Sequence, residues 1–429
     1  MKQRHGLRAA VAISLIALVA CTGGGEKQTP GKVTLNFWVF KEAQDQFFNT
    51  VVSDFEKKYP NIQLDVTAYP EGQYGTKIDT AIAAGDPPDL GLASGTETMR
   101  SGVLVPLTDM VKRYHIDLSD FPASIVGSSD QQNGEYGCAY QGTLYCLGSY
   151  TGMDLLFYNK DMFDAAGITP PSAWPGMTVD QFAQDACQLT NKSAGVYGAT
   201  FGDPVSWMPW EMLVSPDGKT AVGYVNGPTS VHVHDILGAA IRNGCAPSLS
   251  NFDPWEQGTD YFAAGKVAMV VTDFQGLKKI ENAGINYGVS APPAPQGITP
   301  WFNVWTDSVG IYRGTDHVQQ AEQFIAYLAT EGQKLRVTVS GDLPLNTQVA
   351  QQMDWADDTP GRQEALQILP HARPKIFFPG VFWNVYGPIY DAFAEIIGGE
   401  KTAQQALDDV APAIQDNLDR AWERWNQGA

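Results

Sequence analysis

Basic residues are scarce in this chain of 429 residues: 28 Lys and Arg face 47 Asp and Glu, a formal net charge of −19. So acidic a chain is repelled by phosphate backbones, which excludes nucleic-acid binding. Charge of either sign is sparse at 17%, while 44% of residues are hydrophobic, which is the balance of a globular protein rather than a disordered one. The five cysteines form no C-x-x-C pair, and the six histidines include no HExxH, so no metal is expected. His232 and His234 fall on a predicted helix at a spacing that does not share a face, and are expected at the surface. Neither a Gly-x-Ser-x-Gly elbow nor a glycine-rich Lys phosphate loop occurs, so serine hydrolysis and ATP hydrolysis by this chain are not expected. No cofactor is implied. The chain is too long for one ordinary core, which points to two domains. Aromatics, by contrast, are plentiful, with 11 Trp and 17 Tyr to fill cores or to line a site for a guest with an apolar face.

The apolar run from Ala9 to Ala20 follows Lys2, Arg4 and Arg8 and is too short to cross a bilayer, but it suits a secretory signal. It ends Leu18-Val19-Ala20-Cys21, which resembles the lipobox of bacterial lipoproteins. Residues 1–20 are therefore expected to be a signal peptide, Cys21 the acylated residue, and residues 21–31 a flexible tether. The other cysteines, Cys138, Cys146, Cys187 and Cys245, are even in number, as an oxidising compartment favours. Three pairings are open to them. The short hairpin pattern between Cys138 and Cys146 favours 138–146 with 187–245.

Strand and helix patterns alternate from residue 33 onward. Val33, Leu35, Phe37 and Val39 recur every second residue; Phe47, Val51, Phe55 and Tyr59 recur every fourth; Ile62, Leu64 and Val66 alternate again. Tyr74, Ile78 and Ile82 predict a second helix, broken at Gly85-Asp86-Pro87-Pro88 before Leu90-Gly91-Leu92. This order predicts right-handed crossovers in a parallel sheet, whose ligands gather at the strands' carboxyl ends. Thr178 with Gln181, and Thr402 with Gln405, predict helix starts. Pro412 is expected to kink or divide the C-terminal helix.

Several ordered segments resemble the extracellular solute-binding proteins of ABC importers, in particular the carbohydrate-binding group typified by maltose-binding protein. They are Phe55-Glu56-Lys57-Lys58-Tyr59-Pro60, Gly85-Asp86-Pro87-Pro88-Asp89, residues 156–163 with Ala166-Gly167, residues 265–269, residues 321–328 and Phe382-Trp383. The resemblance implies a two-lobed α/β periplasmic-binding-protein fold of the type II kind, with mostly parallel sheets flanked by helices and a hinge between lobes. It places lobe 1 at 32–148 plus 273–335 and lobe 2 at 149–272 plus 336–429. It further implies a monomer outside the cytoplasm, anchored to the membrane only by lipid, that hands a small carbohydrate to permease subunits.

A pyranose has one apolar face and a rim of hydroxyls, so its pocket needs aromatic rings beside carboxylates and amides. The candidates are Trp207, Trp210 and Glu211; Trp383 and Asn384; Asp154, an acid in an apolar strand; Trp255; Trp301, Asn303 and Trp305, of which one Trp is expected in the cleft and the other in the core; and Asp342. Lys41 and Glu42, with Ser94, Thr96 and Glu97, follow predicted strands. Where the family commonly shows Gly-x-Trp, this chain has Asp273-Phe274-Gln275, so the stacking ring is expected at Phe274 with Asp273 as an added carboxylate. Trp174, Trp422 and Trp425 are expected to be structural. The rival readings are a glycerol phosphate ester as ligand, with Arg100 and Arg373 the nearest cations, and a secreted glycoside hydrolase, for which no acid pair is singled out.

Overall fold

The structure, a computed structural model, describes residues 31–40, 46–93, 96–127, 137–201, 208–247, 254–357, 359, 361–373, 375–379 and 383–427. Cys21 and the expected signal lie outside them. Twelve strands are described: β1 (Val33–Phe40), β2 (Ile62–Tyr69), β3 (Leu90–Leu92), β4 (Ala139–Tyr140), β5 (Thr143–Leu144), β6 (Cys146–Leu147), β7 (Gly152–Asn159), β8 (Tyr197–Thr200), β9 (Val267–Asp273), β10 (Tyr287–Ser290), β11 (Val304–Trp305) and β12 (Val309–Ile311). They form two five-stranded sheets and the hairpin β4-β5.

The first sheet has the order β2-β1-β3-β12-β6. As the alternation predicts, β1 pairs in parallel with β2 and β3, and it buries Leu35, Phe37 and Val39 on one face. Helix Gln46–Lys58 lays Phe47, Phe48, Val51 and Phe55 on that face, and Phe324 from helix Val318–Ala329 meets Phe37 and Phe55 edge to face. Each fully buried ring contributes about 2–3 kcal/mol, far more than the half-exposed ion pair from Lys58 of this helix to Glu331 of helix Glu331–Ser340, worth at most about 1 kcal/mol. Gly85 ends helix Glu71–Ala84 in the left-handed region at φ 75°, which explains the break before Pro87.

The second sheet has the order β10-β7-β9-β8, with β11 also on β7. β7 is buried along its whole length because both faces are covered. Met153, Leu155 and Phe157 face a core shared with Phe262, Phe274 and Tyr287. Leu156 and Tyr158 face the opposite core under helices Val179–Leu189, Pro228–Arg242, Trp383–Gly398 and Ala403–Gln427. Thr178 accepts the Gln181 N–H, but the Gln181 side chain bonds Asp185 instead of closing a capping box; Thr402 and Gln405 make the full box. Helix Ala403–Gln427 runs through Pro412 as one element.

The chain passes between the sheets at residues 148–151, 306–308 and 341–345. Residues 273–305, expected with the first lobe, include β10 and β11, which pair with β7. The reason is local: after β9, the turn at Phe274–Gly276 and helix Leu277–Asn282 send the chain back onto the same sheet. On that pairing we propose lobes of 32–148 plus 309–340, and 149–305 plus 341–427.

His234 corrects the surface expectation. His232 is exposed beside Asp180, but His234 is fully buried with Val233, Leu237 and Ile241, edge-on to Phe393. Its Nδ1 bonds the Ser230 carbonyl at 2.7 Å, and Nε2 finds no partner among the described residues. Burial pushes the ring from 6.5 down to about 4. A depressed imidazole folds neutral, so the unfolded chain binds the extra proton as pH falls from 6.5 to 4, and stability is lost over that window. The loss reaches about 3 kcal/mol. His234→Phe is expected to flatten that part of the urea-stability profile; an unchanged difference between pH 7 and pH 4 would refute the assignment.

Candidate functional site

Pleating aligns residues from three adjacent strand segments at one end of the second sheet. β7 pairs with β9 so that Asp154 lies opposite Asp273, and with β11 so that Val304 lies opposite Met153 and Trp305 opposite Gly152. Continuing that register, Asn303 lies beside Asp154, whose N–H donates to the Asn303 carbonyl at 3.3 Å. Alternation then puts Asn303, Asp154 and Asp273 in a row on the face that also carries Leu156, Val271 and Trp301. Asp154 is 2% exposed, while Asp273 and Asn303 are half-buried. Two carboxylates and an amide side by side offer a row of acceptors and one donor group.

Trp305 stands at the open end of this row. Its indole lies against the Cα of Gly152, where an added Cβ would come within 2.3 Å of the ring. Glycine is required here because only a residue without a side chain lets the ring lie flat on the strand. Trp305 is half-buried, whereas Trp301, two residues before Asn303, is 5% exposed and packs edge-to-face on Trp210 at 6.4 Å. Trp301 is thus the core ring of the pair, and Trp305 the partly exposed one.

Other candidates are placed differently. Trp210 is 2% exposed, held by Trp301, Phe378 and the Lys375 ammonium 4.3 Å from its ring, so it supports the site from below. Glu211 is engaged by Arg373, which also donates to the Thr299 carbonyl at 2.9 Å, so neither acid nor cation is a free ligand group. Phe274 is 3% exposed between Phe157 and Trp355 and faces the opposite core, so the stacking ring has not shifted there. Lys41, Glu42, Ser94 and Trp207 lie outside the described residues. So do the side chains of Thr96, Glu97, Trp255, Trp383 and Asn384, although their backbones belong to described helices. Trp174 stacks on His371 at 4.0 Å, and Trp422 donates to the Gly218 carbonyl at 2.9 Å, both in structural roles.

Asp342 belongs to the crossings. It pairs with Arg336 at 2.9 Å, and that guanidinium lies 4.3 Å and 4.1 Å from the rings of Phe47 and Tyr150. Thr151 donates to the Leu343 carbonyl at 2.7 Å, joining first and third crossings. Asp307, which sequence reasoning missed, joins the second to the first by accepting from the Ser149 N–H at 2.9 Å and hydroxyl at 3.0 Å. Burial pushes its carboxyl up, opposed by the Arg336 charge and the Ser149 bonds. The signal was an acid between two short apolar strands. Among the described residues no group of three or more His, Cys, Asp or Glu is poised to hold a metal.

Comparison with known proteins agrees with the two-sheet fold. A protein of Brucella abortus (strain 2308) described as a binding protein is 25% identical over 422 residues, covering 96% of this chain and 97% of that one. The sugar-binding protein MalE of Xanthomonas citri superposes with a TM-score of 0.71 at 22% identity, covering 92% of this chain and 99% of that one. UgpB of Mycobacterium tuberculosis, solved with glycerophosphocholine, gives 0.70 at 17% identity, covering 90% and 98%. Residues 50–362 match the family described as bacterial extracellular solute-binding protein. That match spans well over half of the sequence, and with it the chain is shown to be a bacterial extracellular solute-binding protein.

Proposed function

We propose that this chain is the solute-capturing subunit of an ABC importer, held outside the cell membrane by lipid on Cys21, and that its solute is a neutral di- or oligosaccharide. The observation that carries the reading is the half-buried indole of Trp305 beside Asn303, Asp154 and Asp273. An apolar plate next to a row of hydroxyl partners suits a pyranose. Solute docks on one lobe and the crossings bend until the other lobe meets its exposed side, driven by contacts that exist only when closed. The closed monomer then docks on the permease and releases the solute unchanged.

The glycerophosphocholine complex of the M. tuberculosis relative favours a phosphodiester on the same scaffold. Against it, Arg373 is already neutralised by Glu211, and Lys375 lies over Trp210. Titration calorimetry with maltotriose and with glycerophosphocholine separates the readings. Saturable maltotriose binding without cleavage is expected; binding of glycerophosphocholine alone moves the assignment to the phosphodiester; cleavage products would overturn the receptor reading.

A further inference from the structure

The two lobes touch at a place that shares no residue with the crossings. Arg100 closes the short helix Thr96–Arg100 that follows β3, and its neighbour Met99 is 1% exposed in the first core. Its guanidinium lies 3.9 Å from the ring of Trp425, and Nη2 donates to the Trp425 carbonyl at 2.7 Å. Trp425 lies in the last turn of helix Ala403–Gln427, which belongs to the second core. That turn is where helix carbonyls lack intrahelical partners and where the dipole favours a cation. Arg100 therefore satisfies a helix end of the opposite lobe and stacks on a ring of the same residue.

The second lobe holds its half of this contact firmly. Phe377 packs on Trp425 at 5.2 Å and on Trp422 at 5.9 Å, and Trp422 is tied to Gly218 by its indole N–H at 2.9 Å. Trp425 is half-exposed and contributes nothing to either core cluster. Its packing is thus poorly accounted for by stability alone. Rotation of one lobe about the crossings changes the separation of elements that lie elsewhere on the two bodies, so this contact is made in some hinge angles and lost in others.

We propose that Arg100 and Trp425 form an interlobe clasp that biases the ligand-free protein toward the hinge angle seen here, and thereby sets solute affinity without touching solute. They are positioning residues. The inference concerns the resting equilibrium of the lobes and does not depend on which solute they hold. A half-exposed cation–π contact with a charge-assisted bond is worth about a fivefold change in a two-state ratio.

Small-angle scattering of the ligand-free full-length protein tests it. Arg100→Ala and Trp425→Ala are each expected to shift the radius of gyration in the same direction, and the double variant to go no further than the larger single shift. Trp425→Phe, which keeps a ring and the carbonyl, is expected to stay near wild type. Melting temperatures measured in parallel separate a clasp from ordinary packing. Superimposable scattering for wild type and both alanine variants overturns the proposal, and so does a fall in melting temperature for Trp425→Ala with unchanged scattering.

Discussion

Replacing Trp305 by alanine is expected to weaken maltotriose binding at least tenfold while leaving the melting temperature within a few degrees of wild type. The ring lies on Gly152 at the margin of the second sheet, half-buried, and is absent from both core clusters, so little packing is lost with it. What is lost is the plate for the sugar face, on the order of 1.5–3 kcal/mol through buried area and ring contacts, or roughly ten- to 150-fold in affinity. Asp273→Asn, which keeps size and removes charge, is expected to act in the same direction. Trp174→Ala, whose ring stacks on His371, is the control and should leave affinity unaltered. The same tenfold loss is expected for Trp207→Ala and Trp383→Ala, which the family resemblance nominates. Unchanged calorimetric affinity in Trp305→Ala would remove the site from this end of the sheet.

The second large effect concerns stability. Both disulfides join the cysteines expected from the hairpin pattern, Cys138 to Cys146 and Cys187 to Cys245. The chain separations are 8 and 58 residues. Loop-closure entropy then assigns about 2.5 kcal/mol to the short bridge and about 4 kcal/mol to the long one. The long bridge also fixes helix Val179–Leu189 to the end of helix Pro228–Arg242, where the Cys245 carbonyl accepts the Gly198 N–H at 3.0 Å and anchors β8. Cys187→Ala with Cys245→Ala is therefore expected to lower the urea midpoint far more than Cys138→Ala with Cys146→Ala. Equal losses, or the reverse order, would show that strain or unfolded-state structure outweighs loop length.

Period and punctuation made much of the fold legible. Leu35, Phe37 and Val39 could only be one buried face, and the fourfold steps from Phe47 to Phe55 could only be a helix lying on it. Pairing between distant segments was not legible in the same way. Nothing local in Val309–Ile311 says that it inserts antiparallel between β3 and β6, or that β10 stays with β7 after β9. The site shows the same limit. Asp154 and Asn303 were nominated by residue type and setting and Asp273 by the family resemblance, but their alignment in one row is a property of register, which a single sequence does not display. His234 failed for a related reason: a two-residue spacing excludes a shared face with His232 but does not say which of the two faces is inside.

The threefold passage between sheets has a consequence for biogenesis. Neither half of the molecule is contiguous in sequence: the first sheet waits for β12, and the second is roofed by helices that begin at Trp383. A nascent chain thus cannot complete either body until most of it has been made, so the final assembly of each waits on contacts of long sequence separation.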